Sequence, residues 1–407
     1  MTTEAQALPD PELIGRSRGT DFYGVDDLIP AEERALRDRV RAFCDEVVVP
    51  AAAQSWEDAV LSAEVRDGIR DLGIAGGSIR GHECPGMSVL GSHLVLCELA
   101  RGDGSVATYH GVHTGLAMLS IGMLGSEEQR ERWLPAMARM DRLGAFALTE
   151  PDHGSDVVGL GTRAHRDGDA WVLDGAKRWI GNGSIADVVV VWARDDDGNV
   201  GGFVVETEDA DGYEASVITG KASNRAVWQA EISLRGVRVP VENRLAQART
   251  FADTARVLTH SRQGVAWEAL GHALAAYEGA VAYAAERRQF GRPIAAFQLV
   301  QDKLSHMLAD ITSMQLLCLR LAQLDAVGRV TLAHASLAKL QTAAAARRVC
   351  ALARDVLGGN GILLEYHVAR HLADVEATYT YEGTDSVQSL IVGREITGLS
   401  AFAPSGG

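Results

Sequence analysis

A single carboxylate, Glu382, sits in the nearly uncharged turn Thr380-Tyr381-Glu382-Gly383-Thr384, shortly after the glycine-rich segment Leu357-Gly358-Gly359-Asn360-Gly361. Tyr379 and Tyr381 flank it with aromatic surface, and the apolar positions Val387, Leu390, Ile391 and Val392 follow. Gly383 lets the backbone approach a ligand closely. A carboxylate in such surroundings is poorly hydrated, which raises its pKa toward the range useful for taking a proton from carbon. Glu382 is therefore the candidate catalytic base.

Three other segments carry complementary chemistry. Thr149-Glu150-Pro151-Asp152-His153-Gly154-Ser155-Asp156 leaves an expected strand for a Gly/Ser loop. Its backbone N–H groups and hydroxyls suit a flat polar ligand or a pyrophosphate, although an ordinary interstrand loop has the same composition. Lys177-Arg178-Trp179-Ile180-Gly181-Asn182-Gly183 puts a large aromatic at a strand end, where it can cover a ring system or pack in a core. Arg287-Arg288-Gln289-Phe290-Gly291-Arg292-Pro293-Ile294 gathers three guanidinium groups beside an aromatic at a helix junction. Such a cluster can bind phosphate and stack an adenine; a basic C-terminal helix cap explains the same residues. Gly358-Gly359-Asn360-Gly361, taken alone, is a helix stop. The twelve His residues lack metal-ligand spacing, and His110 with His113 reads as a helix face or pocket wall, so no metal is expected.

The elements that must hold these segments can be bounded by composition. A chain of 407 residues with 47% hydrophobic content can bury a large core and divide into two or three domains. The 54 acidic residues against 39 basic ones give a formal net charge of -15, and the pI is near 5.3. That balance argues against broad nucleic-acid binding while leaving room for local phosphate pockets. No apolar run reaches the roughly 18 to 20 residues needed to cross a bilayer, and the opening MTTEAQALPDPELIG resembles neither a signal core nor a transit peptide. A cytoplasmic protein without membrane insertion is expected. Cys44, Cys84, Cys97, Cys318 and Cys350 are odd in number and scattered, hence read as reduced thiols.

Periodicity divides the chain further. Residues 1–27 are polar and read as a loose arm. Helical spacing over Pro30 to Val48 and again near Val65, Leu94, Leu116 and Arg130 predicts an N-terminal helical domain, 28–144. Short β-rich runs punctuated by Asp-Gly turns predict a compact β-barrel or sandwich over 145–245. Long Ala/Leu-rich helices follow over 246–407, apolar around much of their circumference, as helices packing on one another and on other subunits would be.

Taken in order, TEPDHGSD, KRWIGN, RRQFGRPI, GGNG and YEGT within a helical, β, helical layout resemble the acyl-CoA dehydrogenase family over essentially the whole ordered chain. The resemblance implies an α+β multidomain fold with a helical domain, a central β-barrel or sandwich and a C-terminal four-helix bundle. It implies non-covalent FAD and oxidation of a short- or medium-chain acyl-CoA thioester to the trans-2-enoyl-CoA. Glu382 would take the α-proton while the β-hydride passes to flavin N5. Some members carry the base on an earlier helix, directly ahead of an Arg; here that place is Ser261 before Arg262, and serine cannot do that work unaided.

By the same resemblance Phe146, Leu148, Thr149, Gly154 and Ser155 line the flavin, with Trp179, Ile180 and Gly181 beside them. Arg287, Phe290, Gln298, Asp355, Gly358 and Gly359 contact the FAD of a neighbouring subunit, and Thr384 and Ser386 reach cofactor. Ser155, Ser261, Arg262, Tyr381 and Gly383 lie against the acyl-CoA, and a homotetramer is the family norm. The substrate thioester is carried by CoA or by an acyl carrier protein, and the electrons go to an electron-transferring flavoprotein or to O2.

GGSIRGHECPG, GSEEQRERWLP, LGGNGI, EYHVARH and YTYEGT with IVGREITG bring the chain nearest to the glutaryl-CoA dehydrogenase and plant short-chain acyl-CoA oxidase subgroup. Two departures matter. The Arg that holds the distal carboxylate in glutaryl enzymes is replaced by Ala107, which argues against a dicarboxylate substrate. Gly181 stands where typical dehydrogenases carry a Thr beside flavin N5, as it does in the plant oxidase, which opens room for O2 and keeps an oxidase as the alternative. A flavin monooxygenase of the same fold and a non-catalytic acyl-CoA-binding protein rank lower.

Overall fold

The computed structural model describes residues 17–402. Order begins ahead of the expected boundary at residue 28. Ser17–Thr20 forms a helical turn, and Val25–Leu28 forms a 3-10 turn whose Val25 is 3% exposed. Val25 and Ile29 supply the physical reason, because they reach the core built around Leu94, Trp267 and Leu270. The Asp21 carboxylate accepts from the Asp26 N–H at 3.1 Å and fixes the turn. The rest of the expected arm, 1–16, lies outside the described residues.

The N-terminal domain comprises α1 (Ala31–Phe43), α2 (Val49–Asp58), α3 (Ala63–Asp71), α4 (Val89–Gly102), α5 (Gly104–Gly111), α6 (Leu119–Leu124) and α7 (Glu127–Ala138). Side-chain caps start most of these where the chain must turn: Ser62, Ser88 and Asp103 each accept a backbone N–H, and Ser126 with Gln129 closes a capping box. Between α5 and α6 the chain widens into a π-helical stretch, Val112–Met118, a distortion that tends to mark functional surfaces.

The middle domain is one curled seven-stranded sheet. Its strands are β1 (Gly144–Ala147), β2 (Arg163–Asp167), β3 (Ala170–Gly181), β4 (Val188–Arg194), β5 (Val200–Glu206), β6 (Tyr213–Val217) and β7 (Gln229–Pro240). The order is β1-β4-β2-β3-β7-β6, with β5 also pairing β4. β4 explains its own unbroken apolar sequence: Val189, Val191 and Ala193 face a core inside the sheet, while Val188, Val190 and Trp192 pack with Ile121, Leu124 and Trp133 of the helical domain. β2 is not foreshadowed in the sequence because four of its five side chains are exposed and polar, and β6 because its alternation of Tyr213, Ala215 and Val217 with Glu214 and Ser216 is only five residues long. β3 runs on through Arg178 past register shifts against β7.

The C-terminal domain holds α8 (Phe251–Glu286), α9 (Gln298–Ala326), α10 (Leu332–Leu357), α11 (Val368–Thr380) and α12 (Asp385–Thr397). Small residues such as Ala269, Ala273, Ala338 and Ala346 let α8 and α10 approach closely inside one core. Among the described residues no helix is long and apolar enough to cross a membrane, and all five cysteines are free thiols.

Candidate active site

Side chains from all three domains converge on a cavity of about 800 Å³. Glu382 reaches it from the turn joining α11 to α12. Its backbone adopts φ 55°, a left-handed conformation unusual for a residue with a side chain, and Gly383 follows at φ 94°. Such a residue costs about 1–3 kcal/mol unless its surroundings hold it, and here four side chains do. Arg262 donates Nε to the Glu382 carbonyl at 3.0 Å, and Gln388 donates to the carbonyls of Glu382 at 3.0 Å and Gly383 at 2.8 Å. Lys339 donates to the carbonyls of Tyr379 and Gly383, both at 2.8 Å, and Thr384 caps α12 by accepting the Val387 N–H at 3.3 Å.

The carboxyl of Glu382 accepts one protein hydrogen bond, from Ser261 Oγ to Oε2 at 2.8 Å. Burial pushes its pKa above the ordinary carboxylate value, and the Arg262 charge, the Ser261 bond and the Lys339 charge only partly offset that push. The outcome is a proton acceptor stronger than a surface glutamate.

The opposite wall comes from the sheet. Trp179 sits in the register shift between Lys177 and Ile180, with φ 63°, and its indole is 53% exposed toward the cavity. A β-bulge is a means of re-aiming a side chain, and this one turns a large flat ring outward. Phe146, Leu148 and Thr149 continue the wall, and a β-carbon at Gly154 would meet no atom within 4 Å. A half-exposed indole, with the Arg178 guanidinium 5.5 Å from its ring centre, beside an open glycine loop fits a planar, phosphate-bearing cofactor such as FAD. Lys177 ties the two motifs of this wall together: its ammonium donates to Glu150 Oε1 at 2.8 Å and to the carbonyls of Leu148 and Trp192 at 3.1 and 2.8 Å.

Gly181 requires a correction. The expected free room beside it is filled, because a β-carbon there would lie 2.7 Å from Val112 Cγ2 of the π-helical stretch. Glycine at 181 and valine at 112 are complementary, so the glycine alone opens no channel.

Other expected site residues divide into two sets. Ser155, Ile180, Ser261, Arg262, Tyr381, Gly383 and Thr384 all border the same cavity as Glu382 and Trp179. Arg287, Phe290, Gln298, Asp355, Gly358, Gly359 and Ser386 do not border it; they are exposed. Phe290 is 94% exposed, with Leu299, Ile362 and Ile396 at 77%, 65% and 77% on the same domain, and Asp355 forms an ion pair with Lys303. Of the two expected pocket-wall histidines, His110 borders the cavity, whereas His113 joins α-domain to sheet by accepting the Gly144 N–H at 2.8 Å. Among the described residues no three His, Cys, Asp or Glu side chains converge to hold a metal.

One cavity residue has no counterpart in the sequence expectations. Glu268 of α8 is 4% exposed, borders the cavity and accepts the Tyr381 hydroxyl at Oε1. Burial lifts its pKa to about 7; the Tyr381 bond pulls the other way, and the neighbouring Glu382 charge adds to the lift. The signal in the sequence was its position seven residues after Ser261, two turns along the same helix face.

Three family models match successive parts of the chain: the acyl-CoA dehydrogenase N-terminal domain over residues 30–141, the middle domain over 145–237 and the C-terminal domain over 251–397. The mitochondrial short-chain specific acyl-CoA dehydrogenase of Bos taurus is 32% identical over 370 residues, covering 89% of this chain and 90% of that protein. Among solved structures, glutaryl-CoA dehydrogenase from Mycobacterium smegmatis superimposes with a TM-score of 0.91 at 42% identity, over 94% of this chain and 99% of that one. A second glutaryl-CoA dehydrogenase structure from that organism, in complex with FADH2, gives 0.92 at 37% identity over the same shares.

Proposed function

The chain belongs to the acyl-CoA dehydrogenase family and is an FAD-dependent enzyme of it, and from that premise we propose that it dehydrogenates a short- or medium-chain acyl-CoA at the α and β carbons with Glu382 as base. The observation that carries this reading is the Glu382 carboxyl, held in a strained turn at the cavity by Arg262, Gln388 and Lys339 and touched by Ser261 alone. Removing a weakly acidic α-proton needs a base whose pKa is raised yet whose position is fixed; both conditions hold at this residue. The Glu382 N–H finds no acceptor among the described residues, so it is free to donate to a thioester carbonyl and stabilise the charge that develops there. Phe146, Leu148, Thr149, Gly154, Ser155, Trp179, Ile180, Gly181 and Thr384 would hold FAD within the subunit. When bound, FAD accepts the hydride equivalent lost from the β carbon.

The exposed residues Arg287, Phe290, Gln298, Asp355, Gly358 and Gly359, together with Ser386 on α12, fit a surface completed by a second subunit. The uncovered apolar side chains nearby support a homotetramer. The five free thiols support a cytoplasmic location.

A dicarboxylic substrate is disfavoured. Ala107 borders the cavity without a charge, and Arg101, the cation that precedes it in the chain, is committed to Glu98, Asp45 and Glu278. The two cavity cations, Lys221 and Arg262, are already bonded to backbone carbonyls. The filled space at Gly181 favours a protein acceptor, an electron-transferring flavoprotein, over O2.

The test is anaerobic reduction of the purified yellow enzyme by butyryl-CoA or hexanoyl-CoA. Glu382→Gln should keep the flavin and bind acyl-CoA yet lose turnover by about 10²–10⁴-fold; an active variant would overturn the assignment of the base. Peroxide formed in air at the rate of turnover would instead identify an oxidase.

A further inference from the structure

We propose that Glu268, Tyr381 and Thr108 form the floor of the acyl subsite and select a short acyl chain whose far end carries an O–H or N–H donor. The inference rests on the acyl-CoA reading above. Ser261, Val265 and Glu268 follow one another along a single stripe of α8 and all border the cavity. Seven residues of helix advance about 10 Å, so Glu268 lies one short acyl chain's reach beyond the base that Ser261 contacts.

Glu268 is 4% exposed and half satisfied. Tyr381 donates its hydroxyl to Oε1, and the same phenol oxygen lies 3.2 Å from Thr378 Oγ1. Among the described residues no donor reaches Oε2, and no Lys, Arg or His forms an ion pair with the carboxyl. A buried acceptor left without its bond costs about 1–3 kcal/mol, and more when charged. An alkyl terminus seated against Glu268 would impose that cost by displacing water, whereas a hydroxyl or ammonium would remove it.

Other polar groups on the cavity wall agree with a polar terminus. Thr108 is 8% exposed on the cavity wall, and His110, 4% exposed beside it, has no partner for Nδ1. Burial and His113 hold the His110 pKa down at about 3, so the imidazole is neutral and adds no positive charge for a carboxylate tail. The Glu268 pKa of about 7 lets the group either donate to a hydroxyl as the acid or pair with an ammonium as the anion.

The experiment measures kcat/KM of the holoenzyme for two shape-matched pairs: 4-hydroxybutyryl-CoA against pentanoyl-CoA, and 6-aminohexanoyl-CoA against heptanoyl-CoA. The donor-ended member of at least one pair should be preferred by about tenfold or more, and the pair that shows it tells a hydroxyl from an ammonium. Glu268→Leu should reverse that preference. Glu268→Gln, which keeps the volume but not the charge, should keep a hydroxyl preference and lose an ammonium one. Apolar tails preferred or equal in both pairs, or a preference that survives in Glu268→Leu, would overturn the inference. Should the leucine variant fail to fold, the wild-type ratios and the glutamine variant decide. If none of the four thioesters bleaches the flavin, it is the acyl-CoA reading itself that fails.

Discussion

Ser261 donates its hydroxyl to Glu382 Oε2 at 2.8 Å, joining two residues 121 positions apart in the chain. The place ahead of Arg262 is thus occupied by a side chain that bonds the proposed base. The bond favours the ionised carboxylate, as do the charges of Arg262 and Lys339, while burial opposes all three. If Glu382 is the base it works when ionised, and kcat/KM should then fall as pH drops through a value above the ordinary carboxylate range. Ser261→Ala removes a bond that lowers the pKa, so the acid limb should move to higher pH, with a loss of only a few-fold on the plateau. A pH profile of kcat/KM for the two proteins checks the sign, and a limb that stays put or moves down would show that the hydroxyl does not bear on the base.

Lys339 reaches the same turn from beneath. Its ammonium is fully buried, bonded to the carbonyls of Tyr379 and Gly383, and burial lowers its pKa to about 8 against the pull of Glu382 and Asp385. Lys339→Met should leave Gln388 and Arg262 as the remaining ties on a residue at φ 55°. The expected result is a kcat loss of about 10- to 100-fold from a misplaced base, with FAD content close to that of the wild type. Loss of flavin in parallel with kcat would point instead to general unfolding.

How far the sequence could be read follows from where each signal resides. Glu382 stood out because an isolated charge in an aromatic turn is visible locally, and its flavin-side companions were visible as strand-end motifs. Glu268 was hidden by context: one acid in the Ala/Leu-rich stretch Trp267-Glu268-Ala269-Leu270 looks like a solvent-facing charge until the helix is seen to be buried on that side. Val112 was hidden for another reason, since nothing local links an apolar residue in a π-helical stretch to Gly181 across the domain boundary. Strand β2 escaped because four of its five residues are polar, and β6 because the apolar face of Tyr213, Ala215 and Val217 spans only five residues.

The pairing of Gly181 with Val112 makes a reciprocal prediction. Gly181→Thr adds a β-carbon 2.7 Å from Val112 Cγ2, an overpacking that costs about 1–3 kcal/mol and should weaken flavin retention. The same substitution in a Val112→Ala background has the room it needs. Thermal midpoints and bound flavin across the four proteins of this cycle should show the double variant closer to wild type than Gly181→Thr alone. Additive losses would mean that the two side chains do not share the space.

The Lys177–Glu150 pair fixes the sheet-side wall of the cavity by a different means, since Lys177 has no solvent exposure and Glu150 has 7%. Burial raises the Glu150 pKa, but Lys177, Thr162 and the Gly161 N–H outweigh it and hold the carboxyl at about 2. A group held below its unfolded value contributes stability that is present above pH ~4.3 and is lost as pH falls toward 2. At neutral pH Lys177→Met strands a buried carboxylate and empties two carbonyl acceptors, at Leu148 and Trp192. Removing one partner of such a pair costs about 3–5 kcal/mol, whereas adding Glu150→Gln removes the stranded charge and keeps an acceptor for the Thr162 N–H and hydroxyl, which now bond Oε1. Urea unfolding at pH 7 should therefore rank Lys177→Met below the Lys177→Met, Glu150→Gln double variant. At pH 3 the gap should narrow, because without Lys177 the carboxyl of the single variant loses its main reason to stay ionised and protonates. A gap that persists unchanged at pH 3 would assign the destabilisation to the emptied carbonyls and not to the stranded charge.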